Sequence, residues 1–264
     1  MTTISTRSPN LTWQGPAIAL AALFLVYLPA LADLAADWWN DPNYSHGFLI
    51  PLISGYLLFK DRTSLRRAIE QRGRPGLGAV ITLTGAMGMY ILGNGAAEYF
   101  TVRLSFVLAL TSLAWYFLGS PFLKRAWFPL LFLFFMIPWP YVIYYAATFP
   151  LQLLATKVSM VALNIVGVSA VRDGNIIHLP GMSLEVAEAC SGVRSMISLL
   201  ALGALYSYLA QKRLWARGTL FLSTLPIALV TNSIRVFFTA LLAYAAEAPV
   251  TEEPWHSALG MSVF

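Results

Sequence analysis

The sequence predicts an all-α, multi-pass membrane protein with about eight transmembrane helices, an interfacial helix and a small outer-face β-hairpin. Hydrophobic residues make up 58% of the 264 residues, and charged residues only 11%, well below the roughly 25% that is usual for a soluble domain. Apolar runs of about twenty residues recur, which is the length that a helix needs to cross a bilayer. The net charge of +5 arises from basic residues grouped in a few loops, a distribution that indicates membrane topology rather than nucleic-acid binding.

The first half of the chain alternates apolar segments with short polar loops, and predicts spans over residues 16–36, 47–59, 76–97 and 104–118. The loop after the second span is strongly basic, so the positive-inside rule assigns it to the cytoplasm; its basic residues are Lys60, Arg62, Arg66, Arg67, Arg72 and Arg74. The N-terminus is then cytoplasmic as well, and loop 37–46 is outside. The first apolar run lacks a small-residue cleavage site, so no cleavable signal peptide is expected.

A fifth span is predicted over 126–146, with a kink at Pro138-Trp139-Pro140 near its outer end. The next stretch, 147–170, is long enough to cross but carries Gln152, Lys157 and Asn164. The basic loops on either side of this region are both predicted to be cytoplasmic, so an even number of spans must separate them. We therefore expect 147–170 to be an interfacial or re-entrant helix with its polar residues at the surface. A real span balanced by a missed one is the alternative.

Residues 171–187 contain short β-like runs around Pro180-Gly181, which predict a small hairpin on the outer face. Spans over 190–210 and 217–246 follow, the second kinked at Pro226. A last apolar segment opens at His256 and stops at Phe264, so we expect an incomplete final helix. The whole chain, 1–264, is interpreted as a single membrane domain.

Cys190 is the only cysteine, which excludes an intrachain disulfide and a metal site built on several thiolates. It is therefore either an inert buried thiol or a nucleophile. Arg194 lies one helical turn further on and would share a face with Cys190. A helix N-terminus and a nearby cation both stabilise the thiolate, which is the attacking species.

Three chemically useful side chains share one predicted depth near the outer interface. Cys190 lies about twenty residues before the inner cluster at 211–213, and Arg235 lies about eighteen residues after Arg217. His256 opens a segment that enters from the outside. Such a set suits acyl transfer: Cys190 attacks a carbonyl, His256 moves the proton, and Arg235 donates hydrogen bonds to the oxyanion.

Each of these side chains also has a structural interpretation. Arg235 could snorkel to the interface or pair with Glu188, and His256 could cap a helix. Arg194 either supports the thiolate electrostatically or anchors its helix. Asn232, one turn before Arg235, either orients that arginine or hydrogen-bonds a neighbouring helix.

The histidines at positions 46 and 178 lie in predicted outer loops, and we interpret both His46 and His178 as structural rather than catalytic. No cofactor or metal is expected.

The motifs at 189–195 (Ala-Cys-Ser-Gly-Val-Arg-Ser) and 232–235 (Asn-Ser-Ile-Arg), with His256 ahead of Gly260 and an early Tyr-Ser-His-Gly at 44–47, resemble the exosortase family over about residues 40–264. The resemblance implies a cysteine peptidase or transpeptidase of the bacterial inner membrane, with its active site near the periplasmic face. It implies catalytic Cys190, Arg235 and His256, with Glu188, Arg194 and Asn232 in support. A histidine at 256, where archaeosortases have arginine, favours the bacterial type.

The resemblance also implies a substrate: an exported protein with a PEP-CTERM sorting signal, which is a Pro-Glu-Pro motif, a transmembrane helix and a basic tail. Membrane lipid and an amine-bearing acceptor are further expected partners, nucleic acid is not, and a link to exopolysaccharide and biofilm is implied. We expect the substrate helix to dock in a lateral cleft near spans 190–210 and 217–246. Two other classes stay open: a transporter or flippase for a lipid-linked saccharide, and an assembly subunit that packs through small residues such as those at 85–88.

Overall fold

The computed structural model describes residues 13–73, 76–186 and 193–246. The chain divides into two compact units, Met1–Pro138 and Trp139–Phe264. Helices dominate both units, and the only sheet in the described part of the chain has three strands.

The first unit is helical throughout its described part. Its helices are α1 (Gln14–Asn40), α2 (Leu49–Lys60), α3 (Arg62–Glu70), α4 (Leu77–Gly95), α5 (Tyr99–Leu118) and α6 (Ser120–Phe132), with 3₁₀ turns at Ser45–Phe48 and Leu133–Met136. The predicted basic loop thus contains a helix. In α3, Leu65 and Ala68 are buried while Arg62, Arg66 and Arg67 are exposed, so α3 is amphipathic.

Polar side chains join α1 to α5 along their length. The hydroxyls of Tyr27 and Ser105 hydrogen-bond at 2.8 Å in a buried position. Arg103, only 7% exposed, pairs with Asp37 at 2.7 Å. An arginine in such a position is costly unless it has a partner, and Asp37 on α1 supplies it. Helix α5 therefore depends on α1 for the neutralisation of its buried charge.

The turn between α4 and α5 contains the residue that caps the start of α5. The Glu98 carboxylate accepts hydrogen bonds from the backbone N–H of Phe100 at 3.3 Å and of Thr101 at 2.6 Å. Burial opposes the charged form, but these hydrogen bonds and the charge of Arg103 outweigh it and lower the pKa of Glu98. A carboxylate in this position caps the first turn of α5 and complements its dipole.

The second unit contains α7 (Tyr141–Ile165), β1 (Val171–Asp173), β2 (Ile176–Leu179), β3 (Met182–Glu185), α8 (Val193–Ala210) and α9 (Leu214–Ala246). The strands form an antiparallel sheet in the order β1-β2-β3, with His178 opposite both Val171 and Ser183. Gly174 and Gly181 take positive φ angles in the two turns, which glycine adopts without strain. The predicted hairpin is confirmed over β2 and β3 and is extended by β1.

Five of these helices are long and apolar enough to cross a membrane: α1, α4, α5, α7 and α9. Helix α8 contributes a shorter apolar stretch, Ile197–Ala210. The described residues therefore confirm a multi-pass, mainly helical membrane protein with a small sheet, and leave the count of about eight spans unconfirmed. Helix α9 runs for 33 residues with Pro226 inside it.

One expectation about the middle of the chain is wrong, and another is wrong in part. The span predicted over 126–146 does not continue through a kink: α6 ends at Phe132, and α7 begins only after Pro140. Two prolines within three residues remove backbone donors and disfavour helix in the residue before each, so the helix stops. The stretch 147–170 also differs, because residues up to Ile165 belong to one continuous helix, α7.

The polar side chains of α7 explain that second difference. Gln152, Thr156 and Ser159 are 2%, 0% and 0% exposed, so they face the protein and not the interface. The Thr156 hydroxyl donates to the Gln152 carbonyl at 2.7 Å, and the Ser159 hydroxyl donates to the Ser233 carbonyl of α9 at 3.0 Å. Lys157 and Asn164 are exposed, as expected. A helix whose polar face is satisfied by neighbouring protein can lie in hydrocarbon.

Helices α8 and α9 form an antiparallel hairpin with one point of very close approach. A Cβ placed on Gly203 would overlap the Thr224 side chain, so only glycine allows this packing. At the hairpin turn, the Arg217 guanidinium donates to the carbonyls of Gln211 at 2.7 Å and Tyr208 at 3.3 Å. These contacts fix how far α9 is shifted along α8.

The Gly203→Ala substitution should lower the melting temperature of the purified protein in detergent, because the added methyl group forces Thr224 away from α8, and overpacking of this kind costs about 1–3 kcal/mol. Gly218→Ala is the matched control, since a Cβ there meets nothing within 4 Å and alanine favours helix. Adding Thr224→Ala to Gly203→Ala should recover much of the loss. Equal melting temperatures for the two single variants would contradict the close approach.

Candidate active site

The sequence-predicted site residues divide into two groups. Cys190, Glu188 and His256 lie outside the described residues. Asn232 and Arg235 lie on α9 and are described, and Arg194 belongs to the first turn of α8, of which the backbone alone is described.

The α8–α9 hairpin sets the height of Arg235. Arg235 is eleven residues after Thr224, and Val193 is ten residues before Gly203. Since Gly203 and Thr224 are in contact and a helix rises about 1.5 Å per residue, both positions lie about 15–16 Å from that crossing, in the same direction. Arg235 is therefore level with the start of α8. The predicted shared depth of Cys190, Arg235 and His256 stays a prediction, because Cys190 and His256 lie outside the described residues.

The sheet packs against the part of α9 that follows Arg235. Val186 follows β3 and is the last described residue before α8; it is 1% exposed. It belongs to one buried apolar cluster with Val236 and Ala240 of α9 and Leu163 of α7. Val186, the last residue described before α8, therefore lies in the same apolar cluster as Val236, the residue after Arg235.

Arg235 itself is half-buried on α9. A guanidinium keeps its charge at any relevant pH and presents several donors in a fixed fork. Such a group within a candidate span is suited to stabilising negative charge that develops on an oxygen.

Asn232 is the most unusual polar group in the second unit. It is 2% exposed, and neither its Oδ1 nor its Nδ2 has a hydrogen-bond partner among the described residues. Among the described residues, this amide therefore hydrogen-bonds neither Arg235 nor a neighbouring helix. A buried amide without partners costs about 1–3 kcal/mol per missing bond. The Asn232 side chain thus provides a donor group, Nδ2, and an acceptor, Oδ1, one helical turn before Arg235.

A lateral apolar groove of about 500 Å³ runs between α7 and α9. Small side chains, namely Ser159, Ala162 and Ser233, line it, and larger apolar side chains flank them: Leu154, Val158, Leu229, Val230, Ile234, Phe237 and Phe238. The sequence places a cleft near α8 and α9, whereas this groove is formed by α9 with α7. It ends at Phe237 and Phe238, close to the level of Arg235.

Sequence reasoning missed the polar face of α7. Gln152, Thr156 and Ser159 are all buried, and Gln152 Nε2 has no partner among the described side chains and backbone. The signal was present, because positions 152, 156 and 159 follow the spacing of one helix face. Polar residues at that spacing in an apolar segment indicate contact with another helix.

The two described histidines occupy different settings. His178 on β2 is exposed, and its Nδ1 is 2.8 Å from the Ser183 hydroxyl on β3. His46 is half-buried in the 3₁₀ turn of the first unit, next to Gly47, where Trp38 packs so closely that a Cβ would overlap its ring. Burial lowers the pKa of His46, and hydrogen bonds involving the backbone of Phe135 and Asn43 oppose this only in part.

No group of three His, Cys, Asp or Glu side chains in the described ranges is placed to hold a metal ion. The described part of the second unit places a cation of α9, Arg235, level with the start of α8, one helical turn after a buried amide and close to the end of an apolar groove. These features belong to a mainly helical, multi-pass membrane protein.

The family model of transmembrane exosortases matches residues 38–264, and the chain belongs to this family. No curated protein and no solved structure matches the chain.

Protein stability should decrease as the pH falls through about 6.5, because the pKa of His46 is lowered in the fold from its usual 6.5. The unfolded chain then binds a proton that the folded chain disfavours, so the contribution is present above the unfolded pKa and lost below it. Melting temperatures between pH 7.5 and 5.5 would measure this. His46→Gln should flatten the dependence, whereas His178→Gln, at an exposed site, should leave it unchanged; an unchanged slope in His46→Gln would contradict the assignment.

Asn232→Leu should leave the free energy of unfolding unchanged or raise it by about 1 kcal/mol, because it removes two unsatisfied buried polar atoms in a similar volume. Ser159→Ala is the comparison, since it removes a made hydrogen bond to the Ser233 carbonyl and should lower that free energy by about 1 kcal/mol. Chemical denaturation in detergent would measure both. A clear loss of stability in Asn232→Leu would show that the amide has a partner.

Proposed function

We propose that this exosortase is a membrane-embedded cysteine transpeptidase or protease that cleaves the C-terminal PEP-CTERM-type sorting signal of exported proteins. The observation that supports it most is the register of the α8–α9 hairpin, in which Arg235 is level with the start of α8. Cys190 precedes α8 by three residues. We therefore expect the proposed nucleophile to lie near the end of the hairpin that carries Arg235, the proposed oxyanion donor.

The proposed chemistry is acyl transfer in two steps. The Cys190 thiolate attacks the carbonyl carbon of the scissile peptide, a C–S bond forms, and the carbonyl electron pair moves onto oxygen. His256 holds the thiol proton and delivers it to the leaving nitrogen as the C–N bond breaks. An acceptor amine or water then attacks the thioester, which releases the product and restores the thiol.

Arg235 takes the role of oxyanion donor in this scheme. Its permanent charge and fork of N–H groups suit an oxygen that becomes negative only in the transition state. The next residue, Val236, belongs to a buried apolar cluster, and a low-dielectric surrounding would strengthen the interaction of Arg235 with the oxyanion. Arg194 and Glu188 are proposed to support the thiolate and the site's charge balance.

The groove between α7 and α9 suits the transmembrane helix of such a substrate. Its lining of Ser159, Ala162 and Ser233 lets a helix backbone approach closely, which drives association in lipid where apolar burial gives no advantage. A helix seated there would present the residues just beyond its outer end at the level of Arg235. The proposed location is the bacterial inner membrane, with this level near the periplasmic face, and the proposed process is protein sorting linked to exopolysaccharide and biofilm.

Co-expression with a tagged substrate that carries a PEP-CTERM-type signal tests the proposal. The wild-type chain should shorten the substrate on a gel, and Cys190→Ala should leave it at full length because no thioester can form. Equal processing by both would refute the thiol mechanism and favour a transporter or assembly role. Ser183→Ala, on the exposed face of β3, serves as a matched small-residue control and should process normally.

Arg235→Gln should slow processing about a hundredfold or more, the usual effect of removing an oxyanion donor. Arg217→Gln makes the same charge change on the same helix, at the hairpin turn; it should lower the melting temperature but slow processing far less at permissive temperature. Time courses of substrate cleavage in membranes with matched protein levels would measure both. Similar slowing by the two variants would contradict a specific role for Arg235.

A further inference from the structure

The cytoplasmic end of the first unit combines an apolar groove with a basic rim. The groove, of about 380 Å³, lies between the beginning of α1 and the end of α5. The groove is lined by Trp13, which precedes α1, by Ala17 and Leu20 of α1, and by Leu113, Ala114 and Phe117 of α5. Both helices are candidate spans, so the groove opens toward the acyl chains of the bilayer.

Arg72 lies at the end of this groove. Its guanidinium donates to the carbonyl of Phe117 at 3.3 Å, and Phe117 lines the groove. Gly119 has a φ of 87° and lies so close to Arg72 that a Cβ would come within 2.8 Å of the arginine Cβ. The arginine stem is thus held against the last turn of α5, and its charge is held at the groove mouth.

The charge around this mouth is strongly positive. Described residues 60–73 and 119–125 carry seven basic side chains and only two acidic ones, Asp61 and Glu70. Helix α3 buries Leu65 in the same apolar cluster that Ala114 and Leu118 adjoin, and both of those residues also line the groove. Helix α3 and the groove are therefore both packed against this cluster, and the arginines of α3 are exposed. By the positive-inside rule this surface faces the cytoplasmic leaflet.

We propose that this groove is a binding site for an anionic glycerophospholipid. One acyl chain occupies the space between α1 and α5, and the phosphate contacts the Arg72 guanidinium at the groove mouth. An apolar slot that ends at a fixed cation matches an amphiphile with a negative head, and a planar guanidinium suits phosphate. A zwitterionic lipid would fill the slot equally, but the positive charge of its head group would lie unfavourably close to the Arg72 guanidinium. This inference is independent of the proposed peptidase activity.

Native mass spectrometry of the purified, delipidated chain tests the proposal, with phosphatidylglycerol and phosphatidylcholine added in equal amounts. The wild type should retain one phosphatidylglycerol in preference to phosphatidylcholine. Arg72→Gln should bind it about fivefold more weakly, as expected for one cation near a phosphate. Arg66→Gln removes the same charge from the exposed face of α3 and should have a much smaller effect.

Two further variants keep the test decisive if Arg72→Gln folds poorly. Arg72→Lys keeps the charge and should keep the preference for phosphatidylglycerol. Ala17→Phe places a ring in the groove from an exposed position of α1 and should displace both lipids without changing charge. Equal retention of the two lipids by the wild type, or equal losses in Arg66→Gln and Arg72→Gln, would overturn the proposal, since either result means diffuse attraction rather than a site.

Discussion

The contact between Gly203 and Thr224 determines the geometry of the second unit. Because a glycine at that point lets α8 and α9 approach closely, the two helices form a hairpin with one register, and Arg217 holds the turn at the opposite end. That register carries Arg235 to the level at which α8 begins. A shift of one helical turn, about 5.4 Å, would separate them. The chemistry proposed for this family member therefore depends on a packing contact far from the site.

Both units contain polar side chains within apolar helices and bind them to a neighbouring helix. In the first unit Tyr27 bonds to Ser105 and Arg103 to Asp37; in the second, Ser159 bonds to the Ser233 backbone. Each contact satisfies a group that lipid could not, and each joins two helices. Asn232 departs most from this pattern: both polar atoms of its amide are buried without a partner in the described structure, as is the Nε2 of Gln152. A group left in that state one turn from Arg235 is more readily explained by function than by folding.

Much of the fold could be predicted from the sequence because hydrophobic length and charge are local properties. The helices at Gln14–Asn40, Leu77–Gly95 and Leu214–Ala246 follow from apolar runs bounded by polar residues, and the sheet follows from the Gly174 and Gly181 turns. The prediction that the polar residues of 147–170 lie at the surface holds for Lys157 and Asn164 and fails for Gln152, because the partner of a helix is not known from its own sequence. Gln152 and Ser159 face other protein segments, and nothing in a single segment reveals that.

The sequence by itself determined the class of protein, the family motifs and the residue types that acyl transfer requires, since those depend on composition and on short-range order. The tertiary structure decided which helix packs beside which: the sequence places the lateral cleft near α8 and α9, yet the groove is formed by α7 and α9. It also placed Arg72 at the mouth of a second groove. Such juxtapositions arise from side-chain volumes that meet across distant parts of the chain, as at Gly203 and Gly119, and no local pattern encodes them.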